Sequence, residues 1–255
     1  MGSALAVGLL RAGWSSEGLA VVEQSSEQRD LLIEQLAGVA VLATLELADV
    51  EAGTGVVLCV KPDQAEGAAR LAGACGVTRL LSVVAGLATS RLEAAFAQPV
   101  AVVRSMPNTP VLVGRGVSAI AGGSHVTSAD LDWAESVLGT VGSVVRVAER
   151  HLDAVTGLSG SGPAYFYLVV ESMIEAGVHQ GLARDVSREL VIGTFEGAAA
   201  LLRASGESPE ELRAQVTSPG GTTAAGLRML EGRAVRAAFL EAVAAATERS
   251  RQLGR

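Results

Sequence analysis

The chain has 255 residues, 49% of them hydrophobic and only 3% aromatic, so its core must be built mainly from Ala, Val and Leu. The formal net charge of −7 argues against a nucleic-acid-binding protein, because phosphates require a positively charged face. Charges or glycines interrupt every apolar stretch before it reaches the roughly 18 residues of a membrane span, which predicts a soluble protein. Neither the two cysteines nor the three histidines have metal-ligand spacing, and no signal peptide is recognisable, so we expect a cytoplasmic protein without a metal.

The first half of the chain alternates apolar runs with helical periodicity. In chain order the pattern predicts helix 3–12, strand 19–22, helix 26–36, strands 39–43 and 56–60, helix 63–74, strands 80–84, 100–104 and 117–121, helix 128–138 and strand 144–147. Strands that alternate with helices imply crossover connections. We therefore expect residues 1–148 to form a doubly wound parallel sheet covered on both faces.

The strand signal disappears in the second half, where long apolar-periodic segments predict helices at 162–180, 184–204, 209–215 and 222–251. Residues 149–255 are therefore predicted to form an all-α domain. Small residues such as Gly193 and Gly197 permit close approach between helices, and we expect this domain to dimerise.

The start of the chain resembles part of a phosphate-binding turn. Gly2 and Ser3 lead directly into a helix, as the last glycine of a dinucleotide fingerprint does, but the preceding strand and its two glycines are absent. We expect the true translation start to lie upstream. An ordinary helix that begins at glycine is the alternative.

Residues after the second strand of such a sheet determine whether the site binds a cofactor with a free 2′-hydroxyl on its ribose or one with a 2′-phosphate. Glu23 could accept hydrogen bonds from a ribose, whereas the hydroxyls of Ser25 and Ser26 could donate to a phosphate, and no arginine follows until Arg29. The choice between NADH and NADPH stays open at this point.

Three predicted strands end in segments suited to a ligand cleft. Pro62 stops one strand and leaves Lys61, the only lysine, at the rim of the predicted cleft. Another strand ends in the small-residue turn 82–86. A third ends in 104–110, where two prolines flank Asn108 and fix the loop. A purely structural turn is the alternative for this last segment.

The helical half contains two polar, glycine-rich segments at predicted helix starts. Segment 153–165 reads DAVTGLSGSGPAY and segment 216–223 reads VTSPGGTT. Such a segment can hold a carboxylate with backbone N–H groups and hydroxyls, aided by the helix dipole.

Together these segments closely resemble pyrroline-5-carboxylate reductases, along essentially the whole chain. The resemblance rests on 153–165 and 216–223, and VKP at 60–62, SVVAG at 82–86 and RSMPNTP at 104–110 agree in order and spacing. It implies a Rossmann-like N-terminal domain, an α-helical domain that interlocks with a partner, and NADPH- or NADH-dependent reduction of the C=N bond of 1-pyrroline-5-carboxylate to L-proline.

The resemblance also implies roles for individual residues. Thr223 would hydrogen-bond the imine nitrogen, and the substrate carboxylate would be held by Ser218, Gly220, Gly221 and Thr222. The residues expected to bind the cofactor are Gly2, Ser3, Ser25, Val60, Lys61, Pro62, Ala85, Gly86, Met106, Pro107 and Asn108. The sequence departs from the family at its start and at Ser25, where an arginine that contacts a 2′-phosphate is common.

Two other functions are compatible with the sequence. One is a non-catalytic oligomeric protein that kept the substrate loop and lost the cofactor strand. The other is a reductase of a related cyclic imino acid, such as a six-membered ring. Each of the three hypotheses predicts a small-molecule ligand and a homodimer or larger homo-oligomer, with neither nucleic acid nor membrane as partner.

Overall fold

The computed structural model describes residues 1–46, 50–51 and 53–254. The chain divides into two units: Met1–Ser161 with the end of the chain from Ala245, and Gly162–Ala244. Within the described residues every strand belongs to the first unit. None of the helices described is both long and apolar enough to cross a membrane.

The first unit contains seven strands and six α-helices in its described residues before Ser161. In chain order they are α1 (Gly2–Arg11), β1 (Ala20–Val22), α2 (Ser26–Gln35), β2 (Ala40–Leu42), β3 (Gly55–Leu58), α3 (Pro62–Ala74), β4 (Arg79–Ser82), α4 (Thr89–Glu93), β5 (Ala101–Met106), β6 (Gly116–Gly122), α5 (Ser128–Leu138), β7 (Gly142–Arg146) and α6 (Leu152–Val155). The short helices α4 and α6 were not predicted, because neither is long enough to show a helical period.

The strands form a parallel pair, β1 with β2, and a five-stranded sheet in the order β3-β4-β5-β6-β7. Strands β3, β4 and β5 are mutually parallel, as are β6 and β7. Helices connect most successive strands, which confirms the predicted doubly wound α/β class.

The prediction of a wholly parallel sheet is wrong for one strand pair. β6 is antiparallel to β5, with Val103 opposite Gly122 and Met106 opposite Ala119. A parallel return requires a crossover of about a dozen residues or more, usually a helix. The link between these strands, 107–115, is shorter and contains only the 3₁₀ turn Thr109–Val113, so the chain doubles back.

The strands of the first unit form two separate sheets in the described residues. β1 and β3 are each paired on one side only within the described residues. Helix α1 contributes to the cores of both parts: Leu5 and Leu9 pack with Val103 and other residues of the five-stranded sheet, and Ala6 packs against α2. Apolar packing on α1 therefore joins the two parts.

The five-stranded sheet is buried on both faces. Val103 and Ile120 pack with α1 and α5 on one face, whereas Val102 and Leu80 pack with α3 and Leu92 of α4 on the other. Consecutive residues of β5 thus serve opposite cores, as strand geometry requires. This burial holds the ends of the parallel strands in fixed positions.

The second unit is helical, as predicted. Its helices are α7 (Gly162–His179), α8 (Arg184–Ser205), α9 (Pro209–Gln215), α10 (Thr222–Gly232) and the first part of α11 (Val235–Leu253), whose residues from Ala245 belong to the first unit. The single helix predicted over 222–251 is wrong, because the chain breaks it at Arg233 and Ala234. Ala234 has a φ of 55°, outside the helical region.

Candidate active site

The parallel strands of the first unit end together at one edge of the sheet. Leu58 of β3 is in register with Ser82 of β4, which is in register with Arg104 of β5. Ligands of open α/β sheets bind at this edge. The structure brings to it three predicted cofactor segments: Val60, Lys61 and Pro62; Ala85 and Gly86; Met106, Pro107 and Asn108.

The first residues of α1 lie at the same edge. Met1 provides no side-chain cap, so the first N–H groups of α1 are available to an anion. A Cβ atom added at Gly2 would lie 3.2 Å from Cβ of Cys59, just after β3. Gly2 thus lets the helix approach β3 closely, and Ser3 follows it in the exposed first turn. Burial raises the pKa of the Cys59 thiol to about 11, so it stays protonated at neutral pH.

Lys61 and Pro62 form the junction between β3 and α3. Lys61 is the N-cap of α3 in an extended conformation, with φ −67° and ψ 152°, and Pro62 is the first helical residue. Proline suits this position because it needs no N–H partner there. Val60, Lys61 and Pro62 are all exposed, so the Lys61 ammonium is accessible to a ligand at the edge.

The turn after β4 is fixed by contacts with the end of the chain. Gly86 has a φ of 74°, a left-handed conformation that favours glycine. A Cβ atom at Gly254 would lie 2.9 Å from the Gly86 carbonyl oxygen, so the two glycines pack closely. Ala85 beside them is exposed towards solvent.

Asn108 links the loop after β5 to the segment that precedes α7. Its Oδ1 accepts the Val117 N–H at 2.8 Å, and its Nδ2 donates to the Ser159 carbonyl at 3.3 Å. Ser159 lies in a π-helical turn, Thr156–Gly160, a conformation frequent at functional sites. The half-buried Met106 also reaches this turn, because a Cβ atom at Gly160 would be 2.5 Å from its methyl group. Two motifs distant in sequence therefore meet here.

Ser25 lies at a separate part of this unit, where β1 ends. It is the N-cap of α2, and its Oγ accepts the Gln28 N–H at 3.4 Å. Helix α1 packs against this part of the unit, because Ala6 of α1 and Leu32 of α2 share an apolar cluster against which Val21 of β1 packs. Ser25 is exposed there.

The predicted substrate segment forms a tight turn before α10. The Gly221 N–H donates to the Ser218 carbonyl at 3.0 Å, and Gly220 has a φ of 70°. Proline at the second position and a left-handed glycine at the third are typical of a type II turn. A Cβ atom at Gly221 would meet Oγ of Ser218, so an alanine there would require the serine side chain to move.

The turn leaves the N-terminus of α10 open. Gly221 is the N-cap and has no side chain to cap the helix, so the N–H groups of Thr222, Thr223 and Ala224 are not used within the helix. Three hydroxyl groups lie close to them in the sequence: Ser218 precedes the N-cap by three residues, and Thr222 and Thr223 are the first two residues of α10. The arrangement is suited to binding a carboxylate.

The structure therefore gathers the predicted residues into two groups. The cofactor group belongs to the first unit, and the substrate group, Ser218 and Gly220–Thr223, belongs to the second. Each group is well formed within its own unit.

Glu149 is a structural residue of the site that sequence patterns did not reveal. It accepts hydrogen bonds from the N–H and hydroxyl of Thr89, at 2.7 and 2.8 Å, and pairs with the buried Arg104 at 3.3 Å. It thus ties α4 to β5 beside the edge. Its partners lie 45 and 60 residues away in sequence, so no local pattern could indicate them.

Asp153 also has a partner that is remote in sequence. Its carboxylate accepts a hydrogen bond from the buried Ser250 hydroxyl at 2.7 Å, across 97 residues. This hydrogen bond makes Asp153 the attachment point for the end of α11. The same end of the chain contacts Gly86.

Comparisons with known proteins agree with this geometry. A family model described as pyrroline-5-carboxylate reductase dimerisation matches residues 149–253. A pyrroline-5-carboxylate reductase of Corynebacterium melassecola is 39% identical over 260 residues, covering 100% of this chain and 96% of the relative.

Solved structures are similar over the same length. A pyrroline-5-carboxylate reductase of Coxiella burnetii has a TM-score of 0.92 and 31% identity, covering 99% of this chain and 94% of that one. The enzyme of Plasmodium falciparum, solved with NADP bound, has a TM-score of 0.83 and 31% identity, covering 100% and 95%. The identity extends over the whole chain and both units, and the chain therefore belongs to the pyrroline-5-carboxylate reductase family.

Proposed function

We propose that this protein is a pyrroline-5-carboxylate reductase, which converts 1-pyrroline-5-carboxylate to L-proline with NADPH or NADH. The observation that carries the proposal is 39% identity to such an enzyme over the entire chain. The open helix start at α10 supports it, because the substrate has a carboxylate beside its imine.

The substrate-binding residues act on that carboxylate. The turn 218–221 fixes the first N–H groups of α10 in one direction, and the positive end of the helix dipole favours a negative charge there. The hydroxyls of Ser218 and Thr222 can donate to the same oxygens. Anchoring the carboxylate fixes the orientation of the ring, which supplies much of the rate in a reaction between two bound molecules.

Thr223 is the residue proposed to contact the reacting group. It follows Thr222 in the first turn of α10 and is half-buried, so its hydroxyl can meet the imine nitrogen of a ring whose carboxylate lies on that turn. A protonated imine accepts electrons at its carbon most readily, and a hydroxyl beside the nitrogen holds the proton in place.

The residues at the sheet edge fit a dinucleotide. Gly2 and Ser3 place a helix start against β3, where the pyrophosphate would be held, and the remaining cofactor residues continue along the ends of β3, β4 and β5. When bound, the reduced nicotinamide supplies the hydride that is transferred to the imine carbon. Asn108 and Met106 would shape the loop against which the nicotinamide lies.

The protein is a homo-oligomer, formed through its helical half. The family model that matches residues 149–253 is the dimerisation model of this family. Helix α7 is apolar around most of its circumference, and Phe166, Tyr167 and Leu168 are all exposed in the single chain. A helix with so large an apolar surface must be buried against other helices or another copy of the chain. The division at residue 148 and the cytoplasmic location stay predictions.

The test is the initial rate of NADH and NADPH oxidation with 1-pyrroline-5-carboxylate, with proline formation measured in parallel. We expect equal amounts of cofactor oxidised and proline formed. The six-membered ring analogue is the comparison substrate, and faster turnover with it would favour the related reductase. A folded chain that binds proline-like acids without turnover would instead be the non-catalytic binding protein, an alternative that none of the relatives named above supports.

A further inference from the structure

The turn between β1 and α2 has the position in the chain at which proteins of this fold contact the adenosine ribose of a dinucleotide. Glu23 follows β1 directly and lies about 20 residues after Gly2, the spacing at which an acidic residue of this fold meets a ribose. This inference rests on the proposed function, because it concerns the cofactor of that reaction.

One hydrogen bond holds the Glu23 carboxylate at the start of α2. One oxygen, Oε1, accepts the Ser25 N–H at 2.8 Å, and the side chain is half-buried. In the described part of the chain the other oxygen has no hydrogen bond or ion pair. A carboxylate held in this way can accept hydrogen bonds from ribose hydroxyls without losing the contact with Ser25.

Arg29 is the only cation among residues 20–35, and the turn uses it internally. Its Nη1 donates to the carbonyl oxygens of Glu23 and Gln24, at 2.9 and 2.8 Å. These bonds hold the half-buried guanidinium against the backbone of the turn. Arg29 therefore stabilises the turn that presents Glu23, and its charge is only partly available to a phosphate.

The balance of charge at this turn disfavours a 2′-phosphate. Residues 20–35 contain four acids, Glu23, Glu27, Asp30 and Glu34, against the single Arg29. The hydroxyls of Ser25 and Ser26 and the start of α2 provide neutral donors, and Ser25 Oγ already accepts one of the N–H groups there. A phosphate with a charge of nearly −2 would lie beside the Glu23 carboxylate, and like charges a few ångströms apart repel strongly.

We propose that this protein prefers NADH to NADPH and that Glu23 is the residue that sets the preference. The 2′-hydroxyl of NADH donates to the carboxylate, whereas the 2′-phosphate of NADPH is repelled by it. Arg29 is a positioning residue, because it acts through the backbone of the turn.

The experiment measures the dissociation constants of NADH and NADPH by the fluorescence of the reduced nicotinamide, and kcat/KM for each cofactor. For the unmodified chain we expect NADH to bind about tenfold more tightly or better. Glu23→Gln removes the charge and keeps the shape, and it should shift the ratio of the two constants towards NADPH by about tenfold. Glu17→Gln is the matched control, since it changes the same charge at the opposite end of β1 and should leave the ratio unchanged.

Arg29→Gln separates the two roles of the arginine. If Arg29 supports the turn only, the variant weakens both cofactors to a similar degree. Selective loss of NADPH binding in this variant, equal or tighter binding of NADPH by the unmodified chain, or an unchanged ratio in Glu23→Gln would each overturn the proposal. A folded chain that binds neither cofactor would contradict the proposed function itself, which distinguishes the two failures.

Discussion

Thr223 is the single side chain on which the proposed chemistry depends most. Thr223→Val removes the hydroxyl and keeps the shape of the side chain. Loss of one hydrogen bond to a charged imine corresponds to a fall in kcat of about 10- to 100-fold, because such bonds contribute roughly 1.5–3 kcal/mol. Steady-state kinetics with saturating cofactor measures the change.

Two further variants show whether the hydroxyl itself matters. Thr223→Ser retains it and should recover most of the rate. Thr194→Val is the control, because the Thr194 hydroxyl donates only to the Leu190 carbonyl of its own helix. A rate for Thr223→Val within about twofold of the unmodified protein would exclude the assigned role.

Gly221 tests the substrate turn in a different way. In Gly221→Ala the added Cβ meets Ser218 Oγ, so either the turn or the serine must move. We expect KM for pyrroline-5-carboxylate to rise about tenfold, with a smaller change in kcat, because the carboxylate anchor is disturbed more than the reacting group. KM for the cofactor should not change.

Gly226→Ala provides the comparison for that variant. Gly226 lies in the same helix, and a Cβ atom there has nothing within 4 Å. Alanine at a helix interior stabilises by roughly 0.5–1 kcal/mol relative to glycine. KM should therefore stay the same while the melting temperature rises, and a similar rise of KM in both variants would show that the turn is not the cause.

At the scale of elements, Glu149 holds α4 against β5. Glu149→Ala removes the acceptor for Thr89 and leaves the buried Arg104 without its partner. The loss should be about 1–3 kcal/mol, because the donors of Thr89 and Arg104 lose their acceptor while the Glu149 side chain is 29% exposed and the pair is only partly buried. Urea denaturation should show a loss of this size in the free energy of unfolding.

Glu66→Ala is the appropriate control for an ion pair at the surface. Glu66 pairs with Arg91, whose side chain is 54% exposed, so about 0–1 kcal/mol should be lost. Equal losses in the two variants would mean that Arg104 finds another partner or water.

The elements also show what local sequence can and cannot predict. Apolar periodicity predicted helix 128–138 with the bounds that α5 has, and it predicted strands within two residues of the observed bounds of β3, β4 and β5. The antiparallel pairing of β6 and the break at Ala234 depend on how the chain returns on itself, which periodicity does not encode. Glu149 and Ser250 gain their roles from partners far away in sequence. Such contacts are properties of the folded sheet.

At the scale of the whole molecule, we expect assembly to stabilise α7, which exposes large apolar side chains in the single chain. Leu168 is 63% exposed in the single chain and follows two exposed aromatic residues in the same helix. An interface between copies would bury it, and a charge there would be buried without a partner. Leu168→Glu should therefore dissociate the oligomer, which sedimentation velocity measures, and should lower the melting temperature and the activity together.

The dependence of stability on protein concentration distinguishes lost assembly from a local defect in α7. A native state that is an oligomer melts at a higher temperature as concentration rises, because mass action stabilises the associated form. The unmodified protein should show this rise, and Leu168→Glu should show little of it. Ile33→Glu changes a similarly exposed apolar residue on α2, outside the helical half, and should keep both the oligomer and the concentration dependence. If Ile33→Glu dissociated the protein and Leu168→Glu did not, the first unit would form the interface.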